Sequence, residues 1–374
     1  MKRRLLFSLV LSCLLICLLA ACGDASPTTT NAGAAGAPST TQNQSTLPIQ
    51  MAIGKFKEFA LPQNNSGLMR PIVDTQGRVW FGEMNRNYLG SFDPRSGKFW
   101  QQTPPMGKAG IMGMAAAPDG TIWFAEQYAD YIGHYFPQTG QYKTYQLPTI
   151  TTSDPSNAGK TLSLPSAPND IALDTHSTLW FTELNANAIG SLNTATGETH
   201  QYALSSDPKA SSLDPYGITI DPQGTIWFSE SSTNRLGKLN PATGQISYFT
   251  PPGVTTPLME LASDAHGQIW VTTFGAGQLL RFDPTRATFT TYNAPALNGI
   301  DPGALYGLTI ASNGDAWVTV GSENVLARLD VKAQRFVYYT IPTASSLPLG
   351  LVEGANGSIW FTEAGSNKIG MLQP

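Results

Sequence analysis

After residue 22 the chain has no cysteine, so no disulfide within residues 23–374 can staple its fold and the core must hold by packing alone. It has little in the way of long apolar runs. Leu5 to Leu19 is the longest, and fifteen residues are too few to span ~30 Å of hydrocarbon comfortably. A basic excess is missing too: without residues 1–21 the chain holds 19 Lys and Arg against 26 Asp and Glu, a formal charge of −7. That balance excludes an electrostatic nucleic-acid binder. Histidine is scarce, with four in all.

What is present at the start is a charged stretch, Lys2-Arg3-Arg4, then the apolar run, then Leu19-Ala20-Ala21-Cys22. This order is a bacterial secretion signal ending in a lipobox, so residues 1–21 are expected to be removed and Cys22 to carry lipid. Residues 23 to about 50 are Ser, Thr, Ala, Gly, Asn and Pro with almost no large apolar side chain. Such a segment cannot offset the entropy of ordering and is expected to act as a flexible tether over 22–50. One domain, 51–374, should follow. The expected product is an extracytoplasmic monomer attached to the membrane through the lipid on Cys22.

Within that domain the sequence repeats itself. A Trp followed by an apolar residue recurs at Trp80, Trp123, Trp180, Trp227, Trp270, Trp317 and Trp360, spaced by 43, 57, 47, 43, 47 and 43 residues. Seven copies near 45 residues predict propeller blades. In each copy two short strands flank a tight turn, as in Tyr216 to Asp221 and Thr225 to Glu230. A third and fourth strand follow around Pro241-Ala242-Thr243-Gly244. The fold class is therefore all-β: a seven-bladed β-propeller of four-stranded antiparallel blades, strands A to D from the axis outward. The seventh copy ends at strand C. Lys55 to Pro62 matches strand D and precedes the first strand A, so the N-terminal strand is expected to close the last blade. The position of Asn234 is Asn in five copies, Asp130 and Gly277 in the others, which predicts a left-handed residue in each B-to-C hairpin.

Ile359-Trp360-Phe361-Thr362-Glu363, Asn367-Lys368-Ile369-Gly370 and Pro241-Ala242-Thr243-Gly244 resemble the repeat of the virginiamycin B (streptogramin B) lyase family over about residues 54–372. The resemblance implies ring opening by elimination, with a His base and a Mg²⁺ held by Glu side chains. Its motif is Glu-x-His-Gly at the start of strand A, with a second Glu three residues after the blade Trp. The base position, eleven residues before each Trp, reads Met69, Met112, Asn169, Tyr216, Met259, Tyr306 and Leu349, with no His. His176 and His266 fall in A-to-B turns, His134 in strand C and His200 in strand D. The first Glu position is acidic only at Asp214; the second is filled by Glu83, Glu126, Glu183, Glu230 and Glu363.

Asp214, Tyr216 and Glu230 are thus the nearest approach to the family's catalytic set. Glu230, Asp214 and Glu183 are the candidate ligands for a divalent cation, Mg²⁺ or Ca²⁺. The five Glu residues have two readings, satisfying their own hairpins or converging on the channel mouth. The start of strand A and the end of strand B share one rim, so Tyr216, Tyr306, Met69, Met112, Asn169 and Met259, with Tyr128 and Phe274 from nearby hairpins, form a candidate mouth for a small molecule or a protein. Those same side chains could instead simply plug the channel. An insert, about 149–167, lies on that rim. The opposite rim is expected to offer only short turns. Missing His residues favour a binding propeller; a metal-dependent lyase or a lactonase-type hydrolase is the alternative.

Overall fold

The computed structural model describes residues 47–107, 110–153, 160–205 and 212–374; the leader, Cys22 and most of the expected tether lie outside them. Seven antiparallel sheets follow one another around an axis, each with strands in the order A-B-C-D. Blade 4 is typical: Pro215–Ile220, Ile226–Glu230, Arg235–Leu239 and Ile246–Phe249. Lys55–Ala60 pairs antiparallel with Lys368–Gln373, so the start and end of the ring share blade 7.

The marker tryptophans fill the spaces between blades, none more than 6% exposed. Four donate their indole N–H to an aspartate six residues earlier, as Trp227 does to Asp221 at 2.8 Å. Burying ~150–250 Å² per Trp at ~25 cal/mol per Å² is worth at most roughly 4–6 kcal/mol each. All seven hairpin positions from Asn87 to Asn367, including Asp130 and Gly277, have φ between 47° and 60°. Their side chains do more than tolerate that backbone. Asn367 Oδ1 accepts the N–H of Ser66, Asn187 that of Leu213, Asn324 that of Ser346 and Asp130 that of Ala167. These four hairpins thereby hold the start of the next blade.

A second stitch runs nearer the axis. In blades 3 to 7 the residue two after the Trp is Thr182, Ser229, Thr272, Thr319 or Thr362. Its hydroxyl accepts the N–H of strand A in its own blade and donates to the strand A carbonyl of the next. Thr362 donates to Met69 O at 2.7 Å, which carries the stitch across the closure from blade 7 to blade 1.

Two elements fall outside the repeat. The insert forms its own hairpin, Ile150–Ser153 with Thr161–Leu164. Ile49–Met51, at the boundary drawn between tether and domain, adds a fifth strand to blade 6, parallel to Phe336–Tyr338.

Candidate functional site

In six blades strand A carries a register irregularity between positions twelve and nine before the Trp, as between Pro215 and Ile218. The two residues inside it, Tyr216 and Gly217 in blade 4, leave the ladder. Bulges of this kind re-aim side chains, and here they turn toward the axis. Tyr216, Met259, Tyr306 and Leu349 pack as one buried cluster, with Met69 and Phe274 against it. Asn169, fully buried, donates to Tyr216 O at 2.8 Å and accepts from Gln127 at 3.0 Å. Met112 is also buried, whereas Tyr128 is 38% exposed and lies over Gly110. The mouth residues therefore converge, but on each other: they form a closed floor.

Below them lie three residues that reading the motif positions passed over. The position ten before the Trp is Gly113, Gly217, Gly307 and Gly350 in four blades, but Arg70, Asp170 and Glu260 in the others. The glycines are close-packed; a Cβ on Gly350 would meet Arg70 Cα at 2.7 Å. Arg70 Nε lies 2.8 Å from both Glu260 oxygens and 3.9 Å from Asp170 Oδ1. Its guanidinium sits 5.2 Å from the centroid of the Tyr216 ring. Asp170 also accepts the N–H groups of Ile171 and Ile218 at 3.0 and 3.1 Å. The Tyr216 and Tyr306 hydroxyls are hydrogen-bonded to each other. Blades 1, 3, 4, 5 and 6 thus meet in a buried polar plug.

Burial dominates the electrostatics. It pushes the Tyr216 phenol up to about 12 against the pull of Arg70, and holds Tyr306 well above its ordinary value. Both stay protonated at neutral pH. Burial also raises Asp170 and Glu260, with Arg70 opposing. For Arg70 burial works downward, but Asp170 and Glu260 outweigh it and keep the guanidinium charged.

Asp214, Tyr216 and Glu230 do not form one catalytic set. Asp214, at φ 48°, accepts from the Ser212 and Ser232 hydroxyls. Glu230 accepts from Arg235 at 2.7 Å and from Thr233, while Tyr216 faces Tyr306 and Arg70. Nor do Glu230, Asp214 and Glu183 meet as cation ligands, since Glu183 accepts from Gln201 at 3.0 and 2.9 Å in its own blade. Among the described residues no group of three or more acidic, His or Cys side chains could hold a metal ion. These residues do not fit the Mg²⁺ that the family resemblance implies.

All five Glu residues are fully buried, and four accept at least one hydrogen bond from a side chain of their own blade. Gln101 serves Glu83 and Ser366 serves Glu363, at 2.8 Å for the latter. Glu126 is the exception. Neither of its oxygens has a partner, and burial raises it to about 8. On the opposite rim, where only short turns were expected, a groove of about 610 Å³ lies between the turns of blades 5 and 6, lined by Asp264, His266, Arg281, Ser312 and Lys332.

The model of the virginiamycin B lyase family matches residues 20–299. No curated protein matches. Among solved structures, a streptogramin B lyase is 26% identical with a TM-score of 0.74, covering 86% of this chain and 97% of that one. Virginiamycin B lyase from Staphylococcus aureus is 25% identical with a TM-score of 0.74, covering 86% and 99%. The extracellular domain of BT4673 from B. thetaiotaomicron, 16% identical, shares the fold with a TM-score of 0.62, over 84% of this chain and 39% of that one. With the family model matched over more than half of its length, this chain belongs to the virginiamycin B lyase family.

Proposed function

We propose that this chain is a lipid-anchored, extracytoplasmic propeller of the family that binds a ligand or partner at the channel mouth and does not open streptogramin B rings. The observation that carries this reading is the closed floor. Where the family resemblance calls for a His base, Tyr216 is a buried phenol held protonated and bonded to Tyr306. A positioned base is typically worth ~10²–10⁴ in rate, and a phenol that keeps its proton supplies none of it. The nearest cation, Arg70, is engaged by Glu260 and aimed into the plug, not at a substrate oxygen. A ligand would rest on the floor among rim groups such as the exposed Tyr128, not enter the channel. The leader and the lipobox before Cys22 support the location.

The test is an elimination assay on a streptogramin B lactone with Mg²⁺ or Ca²⁺ supplied. The expected rate is that of the protein-free control. Metal-dependent elimination that disappears in both Tyr216→Phe and Glu230→Gln would overturn the reading and make both residues catalytic.

A further inference from the structure

Large apolar side chains stand exposed at five places among the described residues, and three of them, Ile49, Met51 and Ile53, alternate along one short stretch. They are 38%, 49% and 103% exposed. The alternation continues into blade 7 with Lys55 and Lys57, both exposed. Gln50, between the first two, is exposed as well, and it is Leu47, Ala52 and Gly54 that hold this edge to the wall. Leu47 packs on the blade 6 core and Ala52 on the core between blades 6 and 7. Ala52 N donates to Tyr338 O at 2.9 Å, and Gly54 passes where a Cβ would meet Leu372 at 2.1 Å. The outward face is therefore fixed, not a frayed end.

We infer that this stripe is a membrane-contact edge for an anionic bilayer surface, with Ile49, Met51 and Ile53 entering the interface and Lys55 and Lys57 meeting lipid phosphates. The identity of the membrane rests on the reading of Cys22 as the lipid anchor. Two observations select a bilayer over other occupants. The chain leaves the described fold at Leu47, beside the stripe, and 24 residues separate Leu47 from Cys22. At ~3.3–3.6 Å per residue the anchor keeps this edge within roughly 90 Å of the surface. The charge is also of the right sign: in a chain whose formal charge is −7 without residues 1–21, this edge presents two lysines, and Glu58, the carboxylate that follows them, is taken by Lys368 at 3.6 Å. Apolar side chains flanked by lysines are the composition that partitions to an anionic interface.

The test uses residues 22–374 with Cys22→Ala, so that no lipid contributes, and vesicles of equal phosphatidylglycerol and phosphatidylcholine beside vesicles of phosphatidylcholine alone. The protein should co-sediment with the anionic vesicles. Met51→Ser with Ile53→Ser should weaken that binding about tenfold. Lys55→Glu with Lys57→Glu should weaken it more and remove the preference for anionic lipid, each lysine being worth about fivefold. Thermal unfolding controls for the fold, and Ile53→Ser alone decides if the pair unfolds. No binding by the parent, or equal binding by the variants, overturns the inference. So does self-association by light scattering that the serine variants abolish, which would make a second copy the occupant. Lipid labelling of Cys22 in cells tests the anchor separately, so either idea can fail without the other.

Discussion

At the scale of single residues, the centre of this propeller is decided by three substitutions of glycine. Where four blades keep Gly for close approach, Arg70, Asp170 and Glu260 place one positive and two potentially negative groups on the axis. Removing the cation should be costly, because two carboxyls would be left buried without it. Arg70→Met is expected to lose about 3–5 kcal/mol of unfolding free energy in urea at neutral pH. The loss should shrink at low pH as Asp170 and Glu260 take protons, and Arg70→Met with Asp170→Asn and Glu260→Gln should recover most of it. A loss under about 1 kcal/mol, or one that ignores pH, would show that the plug does not depend on its charge. The pattern was open to view in the sequence as one column with four glycines and three charges. It was hidden because the motif directs attention one and three residues earlier, and because charges in a column of glycines read equally well as solvent-facing. Only the irregular strand A turns that column inward. By contrast, the missing base at Tyr216 was legible outright, since an absent His needs no geometry.

At the scale of elements, period and pattern sufficed for the blades. Each Trp column, turn and left-handed hairpin residue recurs seven times, and repetition averages out local ambiguity. Elements that occur once have no such support. The Ile150–Leu164 hairpin and the parallel strand Ile49–Met51 are outside the repeat, and the latter comes soon after the polar run 39–46. The pairing of Lys55–Ala60 with Lys368–Gln373 has a testable consequence. Strand C of blade 7 would otherwise be an open edge, and the Phe59 and Phe56 rings pack on Trp360 and Phe361. Deleting Lys55 to Leu61 is expected to abolish the cooperative thermal transition, whereas deleting residues 23–46 should leave it in place. A single sharp transition at the parent temperature in the first deletion would show that closure does not depend on this strand.

At the scale of the whole molecule, the buried carboxyls should set the pH at which the propeller is most stable. Burial raises Glu126 to about 8, and Glu183, Glu323 and Glu363 each to about 7, with Glu58 beside Glu363 adding to the rise. Each value lies above the ordinary 4.5, so the folded chain binds protons that the unfolded chain has released. Their contribution is complete below about pH 4.5 and is lost as pH rises through 7 and 8. Glu126 has the largest share because it lacks any partner, at most about 5 kcal/mol at ~1.36 kcal/mol per unit, with relaxation reducing it. His134 acts from the other side. Stacked on Trp123 at 3.6 Å and held neutral by burial, it is lowered to about 4, so its contribution is complete above about pH 6.5 and is lost as pH falls toward 4. Asp74, brought below its ordinary value by Trp80 and Arg78 despite burial, also weakens the fold in acid. Four carboxyls on the alkaline side against these on the acid side place the optimum between about pH 5 and 6.5. Urea unfolding at pH 5.5 should therefore give a free energy at least about 2 kcal/mol above that at pH 8.5. Glu126→Gln, which keeps the shape and removes the titration, should raise stability at pH 8.5 and flatten the profile above pH 6. If Glu126→Gln is less stable than the parent at pH 8.5, then this carboxyl is charged and paired in the folded protein, and the alkaline loss has another source.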